Sequence, residues 1–162
     1  MLQFVADSLW FYAPAYLANL APYLWSRFFG FDMRLDRGLT VFGQDLIGPS
    51  RSLGGVYCVI SVSLVFGLLT DTLLASLHMG LGALSGSIFN SILKRRLKIQ
   101  SGGRFQIFDE TDFLIGGALG YLSYSALPWK EASAGILLGA AIHRTVNIFV
   151  RPLYERMINH QN

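Results

Sequence analysis

Apolar and polar positions fall along this chain in long blocks, not in the short periods of an amphipathic helix or a half-buried strand. Residues 8–26 carry no Asp, Glu, Lys or Arg, and a polar segment from Arg27 to Arg51 follows. Residues 52–70 are again free of charge, Asp71 punctuates, and residues 72–93 run uncharged to an abrupt basic stop at Lys94, Arg95 and Arg96. A second polar segment continues to Asp112, residues 113–129 form a fourth apolar block, and Lys130–Glu131 mark a short turn. The fifth block, residues 132–150, is interrupted by His143 and Arg144 and ends at Arg151–Pro152. A membrane-spanning helix needs about 20 mostly apolar residues. The blocks therefore predict an all-α integral membrane fold: about five transmembrane helices and two polar cytoplasmic loops, in a single domain over residues 1–162.

Charge gives this reading a direction. Arg27, Arg34, Arg37, Arg51, Lys94, Arg95, Arg96, Lys98, Arg104, Arg151 and Arg156 all fall on one side of a five-span layout, whereas Lys130 lies opposite with Asp7, Asp71 and Glu131. Cations favour the cytoplasmic side, which orients the N-terminus outside and both long loops and the C-terminus in the cytoplasm. The chain is 52% hydrophobic and 14% charged, against about 25% charged in soluble domains. Its net charge of +3 reads as this topology and not as a nucleic-acid surface. The first charged residue is Asp7, so the first block is expected to be a retained span, not a cleaved signal. The single cysteine, Cys58, lies in an apolar run and excludes an internal disulfide.

Three blocks carry a small-xxx-small pair: Gly82/Gly86, Gly116/Gly120 and Gly135/Gly139. Such pairs let helices approach closely in lipid, and could pack helices within one chain or between two copies as a homodimer. No His/Cys cluster has metal spacing, no Walker-type loop is present, and no Ser-His-acid arrangement can be drawn.

Candidate chemistry gathers where the third block leaves the membrane. Ser87, Ser91, Lys94 and Lys98 follow in steps of four, three and four, one helical face of hydroxyls and then cations that suits phosphate oxygens. Arg95 adjoins them. In the same loop Asp109 and Asp112 are three apart, able to cap a helix start or, as hard oxygen donors, to hold Mg2+. Cations that clamp phosphate beside carboxylates that hold Mg2+ suit phosphoryl or nucleotidyl transfer. Polar residues inside spans add Asn19, between Pro14 and Pro22, and His143 with Asn147 on one face of the last span.

The motifs Pro14-Ala-Tyr-Leu-Ala-Asn-Leu-Ala-Pro22, Phe42-Gly, Gly48-Pro-Ser-Arg51-Ser52, Gly86-Ser87-x3-Ser91-x2-Lys94-Arg95-Arg96, Asp109-x2-Asp112 and His143-x3-Asn147 occur in this order over nearly the whole chain. Together they resemble the CDP-archaeol synthase family, small membrane cytidylyltransferases similar to the C-terminal part of bacterial phosphatidate cytidylyltransferases. The resemblance implies that a membrane lipid phosphate attacks the α-phosphorus of CTP, giving a CDP-activated lipid and pyrophosphate in phospholipid biosynthesis. It implies Mg2+ near Asp109 and Asp112, with Lys94, Arg95 and Arg51 neutralising phosphates and Ser91 and Ser52 donating hydrogen bonds to them. His143, Asn147 and Asn19 join the substrate-binding residues. Ser87 stands where the family pattern has Asp. A rival reading therefore keeps the fold but weakens the chemistry, as a protein that binds lipid phosphate or nucleotide. A third, a small transporter, needs polar groups through both halves of the spans, and the outer halves carry few.

Overall fold

Each apolar block becomes helical, but the first becomes two helices. The structure is a computed structural model that describes residues 1–29, 33–100, 103, 105–145 and 148. Within these residues it contains α1 (Leu2–Phe11), α2 (Ala13–Phe29), α3 (Leu53–Leu69), α4 (Leu73–Arg96), α5 (Gln106–Leu122) and α6 (Trp129–Thr145), six helices where the blocks predict about five. Proline explains the difference. Its ring removes the N–H that would continue the helix and crowds the carbonyl four residues back, yet it is well suited to a first helical turn. Tyr12 closes α1 and Pro14 occupies the first turn of α2.

The polar segments move accordingly. α2 continues past Arg27, and α5 begins before the acids, so Asp109 and Asp112 belong to its first turns and not to a loop. The connection between α5 and α6 is residues 123–128, upstream of Lys130–Glu131, because Pro128 ends it and its carbonyl accepts from Ala132 N–H to start α6. Lys98 lies beyond the end of α4 in a left-handed conformation (φ 59°), so the stripe of Ser87, Ser91 and Lys94 stops at Lys94. Gly102, Arg104, Asn147, Val150, Arg151, Pro152 and Arg156 lie outside the described residues. Among the described residues no helix is by itself long and apolar enough to cross a membrane.

The core sets a few large side chains (Tyr12, Phe113, Met79, Leu114) among many small ones. Much of the interior is small or hydroxylic (Ala15, Ala18, Ala83, Ser63, Ser76), while Trp10, Tyr57, Leu69, Phe89 and Leu137 face outward. The tightest contact is between α4 and the antiparallel α5. A methyl group at Gly82 would collide with the carbonyl oxygen of Gly116, and one at Gly86 with the carbonyl oxygen of Asp112. Gly135 and Gly139 instead receive the Tyr12 ring and the Tyr16 hydroxyl. All three glycine pairs are thus spent on packing within this chain, and they provide no argument for a second copy.

At the end of the bundle where α4 finishes, residues 33–52 fold into a bracket. β1 (Thr40–Val41) and β2 (Gln44–Asp45) form a hairpin with Thr40 opposite Asp45 and Val41 opposite Gln44. Its turn residues Phe42 and Gly43 both have positive φ (54° and 72°), as a tight two-residue hairpin demands. Arg96 fastens the hairpin to α4 by donating to the carbonyls of Val41 and Asp45. Asp36 anchors the rest. Its carboxylate accepts from Gly38, Ile47 and Gly48 N–H and from Arg34, and Arg34 also pairs with Asp45 at 3.0 Å. Burial would raise this carboxyl, but the three backbone donors and Arg34 outweigh burial and hold it well below the ordinary range.

Candidate functional site

The glycine seam sets the geometry of a polar cluster at its end. Gly82, Gly86 and Asn90 are four apart and share one face of α4. Because Gly86 lies against the backbone of Asp112, the next turn of α4 brings Asn90 beside the first turns of α5. There Asn90 Nδ2 donates to Asp109 Oδ1 and to Asp112 Oδ2, both at 2.8 Å. Lys94, one turn further, pairs with Asp109 at 2.5 Å and donates to the Gly103 carbonyl at 3.1 Å. Asp109 also accepts from Phe105 N–H at 2.8 Å, so it caps α5 as an acid at a helix start should.

From the opposite side the bracket delivers Arg51. Backbone pairing fixes it: Leu35 N–H donates to the Arg51 carbonyl, and Leu53 N–H to the Met33 carbonyl. Its guanidinium donates to Ser91 Oγ at 3.1 Å and to the Ser87 carbonyl at 3.3 Å, while Ser91 Oγ donates to that same carbonyl. Burial lowers the Arg51 pKa and the charges of Asp112 and Asp109 oppose this; an arginine stays protonated regardless.

The two aspartates are driven apart electrostatically. For Asp109, burial is outweighed by Lys94, the Phe105 N–H and Asn90, and the carboxyl lies below its usual range. For Asp112, burial prevails over Asn90, the Phe113 N–H and Arg51, nearby Asp109 adds repulsion, and the carboxyl is raised. Asp109 is therefore a firmly held anion, and Asp112 is the acid that changes state most readily.

Other sequence-predicted residues sit differently. Ser52 is the N-cap of α3, its Oγ accepting from Gly55 N–H at 3.1 Å. Arg95 turns away from the carboxylates: it is 7% exposed, donates to the Ile99 carbonyl at 2.6 Å and packs on Gly48. One residue of helix is a rotation of about 100°, enough to take Arg95 off the face that Lys94 shares with Asn90. In this position Arg95 braces residues 47–48 and stands apart from the Asn90–Asp109–Asp112 cluster. His143 stands beside Phe113, with ring centroids 6.0 Å apart. Asn19 is half-buried on α2, one turn beyond Ala15, which packs on Gly117. Asn147 lies outside the described residues.

Sequence reasoning missed Asn90, the residue that joins the two acids. The available signal was its position, four after Gly86 and four before Lys94. Among the described residues no three His, Cys, Asp or Glu side chains group as a metal site. Asp109 and Asp112 form a pair whose oxygens converge on a single atom. Alongside them a groove of about 540 Å3 follows the seam, walled by Gly82, Gly86, Phe89, Ile115 and Leu119, with Asn90 and Asp112 at one end. Phe89, Ile115 and Leu119 are exposed, so the groove opens on the apolar exterior.

Known proteins are similar to this chain over most of its length. The family model described as CarS-like, CDP-archaeol synthase, matches residues 1–156. The CDP-archaeol synthase of Thermofilum pendens is 34% identical over 155 residues, covering 89% of this chain and 76% of that protein. That of Methanopyrus kandleri is 31% identical over 154 residues, covering 89% and 87%. A solved structure of an intramembrane enzyme for archaeal membrane lipids biosynthesis superposes with a TM-score of 0.72 at 24% identity, covering 85% of this chain and 90% of that one, a likeness of fold. With a family model spanning the helices, the bracket and the acidic pair alike, the chain belongs to the CDP-archaeol synthase family.

Proposed function

We propose that this protein is a membrane-embedded enzyme that transfers a cytidylyl group from CTP to a lipid phosphate. A phosphate oxygen of the lipid attacks the α-phosphorus of CTP, the bond to the β-phosphate oxygen breaks, and pyrophosphate leaves. The observation that carries this reading is the meeting of an apolar groove with a charged cluster: Asn90 and Asp112 close one end of a slot whose walls suit hydrocarbon. A lipid phosphate is such a molecule, charged at one end and apolar along its length. Its nucleophile is already an anion, so the work left to the protein is positioning and charge neutralisation. Arg51 and Lys94 supply the positive charge.

Two carboxylates converging on one point are hard donors that fit Mg2+, which commonly takes one or two carboxylates and completes its shell with water and phosphate oxygens. When bound, Mg2+ would offset the charge of the triphosphate and of the departing pyrophosphate. The outward ring of large apolar side chains and the small-residue interior support placement in a bilayer. In our reading the N-terminus is outside and the bracket, the α4–α5 connection and the C-terminus are cytoplasmic, where CTP is available.

The test is transfer of label from radiolabelled CTP into the lipid phase by detergent-purified protein, with Mg2+ and a panel of ether- and ester-linked lipid phosphates. Label that requires both lipid phosphate and Asp112 is the expected result. Folded protein that transfers no label to any lipid would refute the proposal.

A further inference from the structure

Asn90 is 4% exposed, and both protons of its amide are committed, one to each aspartate at 2.8 Å. Its carbonyl oxygen Oδ1 is buried and accepts no hydrogen bond among the described residues. A buried acceptor without a partner is an uncommon and unfavourable arrangement. Here it belongs to the one side chain that, among the described residues, hydrogen-bonds both acids of the cluster. Three positions back along α4, Ser87 supplies no carboxylate where the family pattern has Asp.

An amide whose N–H groups bridge two carboxylates suits a site without a cation. With a cation between those carboxylates, the same N–H groups would point at positive charge. Rotation about the terminal side-chain bond exchanges Oδ1 and Nδ2 without moving the backbone. The carbonyl oxygen then occupies the point on which the carboxylates converge. The exchange leaves Nδ2 where Oδ1 now lies, so one side of the amide remains unmatched in both states. What is gained is an oxygen–cation contact in place of two N–H groups facing a cation.

We infer that Asn90 is the third oxygen ligand of the divalent cation held by Asp109 and Asp112, its amide turning over between the metal-free and metal-bound forms. This inference rests on the magnesium reading proposed above. It gives this chain a neutral donor from α4 in place of a carboxylate at position 87.

The experiment measures metal binding without CTP or lipid. Detergent-purified protein, with Cys58→Ser as background to remove the native thiol, is titrated with Mn2+ and followed by the electron paramagnetic resonance of the free ion. Cd2+ then competes. Wild-type Asn90 binds Mn2+, and Asp112→Ala abolishes binding. Asn90→Leu weakens Mn2+ about 10- to 100-fold, the usual scale for losing a supporting metal contact. Asn90→Cys weakens Mn2+ similarly but shifts the Cd2+ to Mn2+ preference at least about tenfold toward Cd2+, because a thiolate that touches the metal favours the softer ion. Asn90→Asp binds Mn2+ more tightly than the parent. Thermal unfolding checks the fold of each variant, and the Asp variant carries the test should Leu or Cys fail to fold. Equal Mn2+ loss in Leu and Cys with an unchanged Cd2+ preference, or Mn2+ binding indifferent to position 90, overturns the inference while the carboxylate pair stands. Wild-type protein that binds no Mn2+, or binds it independently of Asp112, overturns the magnesium reading and this inference with it.

Discussion

Asp36 and Asp112 are both shielded acids at the same end of the bundle, and they are provisioned in opposite ways. Asp36 has three backbone N–H donors and a guanidinium, and its carboxyl is held well below the ordinary range. Asp112 accepts from Asn90 and from the N–H of Phe113, and burial raises it. An anion with every lone pair answered has nothing left to offer a ligand, and its task is to hold a fold. A carboxylate whose charge is only partly compensated retains capacity for a cation or a proton. The difference separates an acid that builds the bracket from one that serves the cluster.

The sharpest way to break this comparison is to neutralise each acid in turn. Asp112→Asn should reduce cytidylyl transfer by about 10^3-fold with little change in thermal unfolding, on the scale at which a preorganised electrostatic group acts. Label transfer and a melting curve on the same preparation decide this. Asp36→Asn should do the reverse. It destabilises the protein by about 2–3 kcal/mol, as losing charge-assisted bonds to buried donors does, while the folded fraction keeps its transfer rate. A large rate loss in fully folded Asp36→Asn protein would erase the distinction.

Lys94→Met comes next, with an expected loss of about 10- to 100-fold in transfer, smaller because Arg51 remains as a second cation. The variant also releases Asp109 from its partner, so its carboxyl should titrate nearer the ordinary range, which infrared difference spectra of the carboxyl band can follow. The smallest effect is in pH. Since the Asp112 pKa is raised, protons compete with a cation there first. Mn2+ affinity should fall as pH drops through that raised value, about tenfold per pH unit for a single competing proton, while Asp109 stays ionised. Asp36 has the opposite linkage: its pKa is lowered, so its contribution to stability is complete above the ordinary carboxylate range and is lost as pH falls below it. Acid melting curves of wild type and Asp36→Asn should therefore converge as pH falls.

Much of this was legible in the sequence where a feature depends on local pattern. The apolar blocks locate the helices, the glycine pairs locate the tightest packing, and the spacing of Asp109 and Asp112 puts both on one face. Features set by backbone sterics or by tertiary choice were harder to read. The break at Tyr12–Pro14 leaves hydropathy unchanged, so a scan for apolar runs passes over it. The early start of α5 is hidden because an acidic first turn and a polar loop have similar composition. Arg95 sits among cations in sequence, yet its direction is decided by helical phase and by space at Gly48. Asn90 carries no charge and belongs to no pattern of charges, and its importance emerges only when α5 is laid against α4.

The glycine seam has one more consequence, which concerns insertions and deletions. Gly86 fixes where α5 touches α4, and Asn90 and Lys94 are read from that point in whole helical turns. One added residue between Gly86 and Asn90 would rotate everything downstream by about 100°, carrying amide and ammonium away from the acids while leaving composition and hydropathy almost unchanged. Growth in the 123–128 connection, at the other end of the bundle, alters no such phase. Length variation in this protein should therefore be tolerated at that connection and refused in the single turn between Gly86 and Asn90.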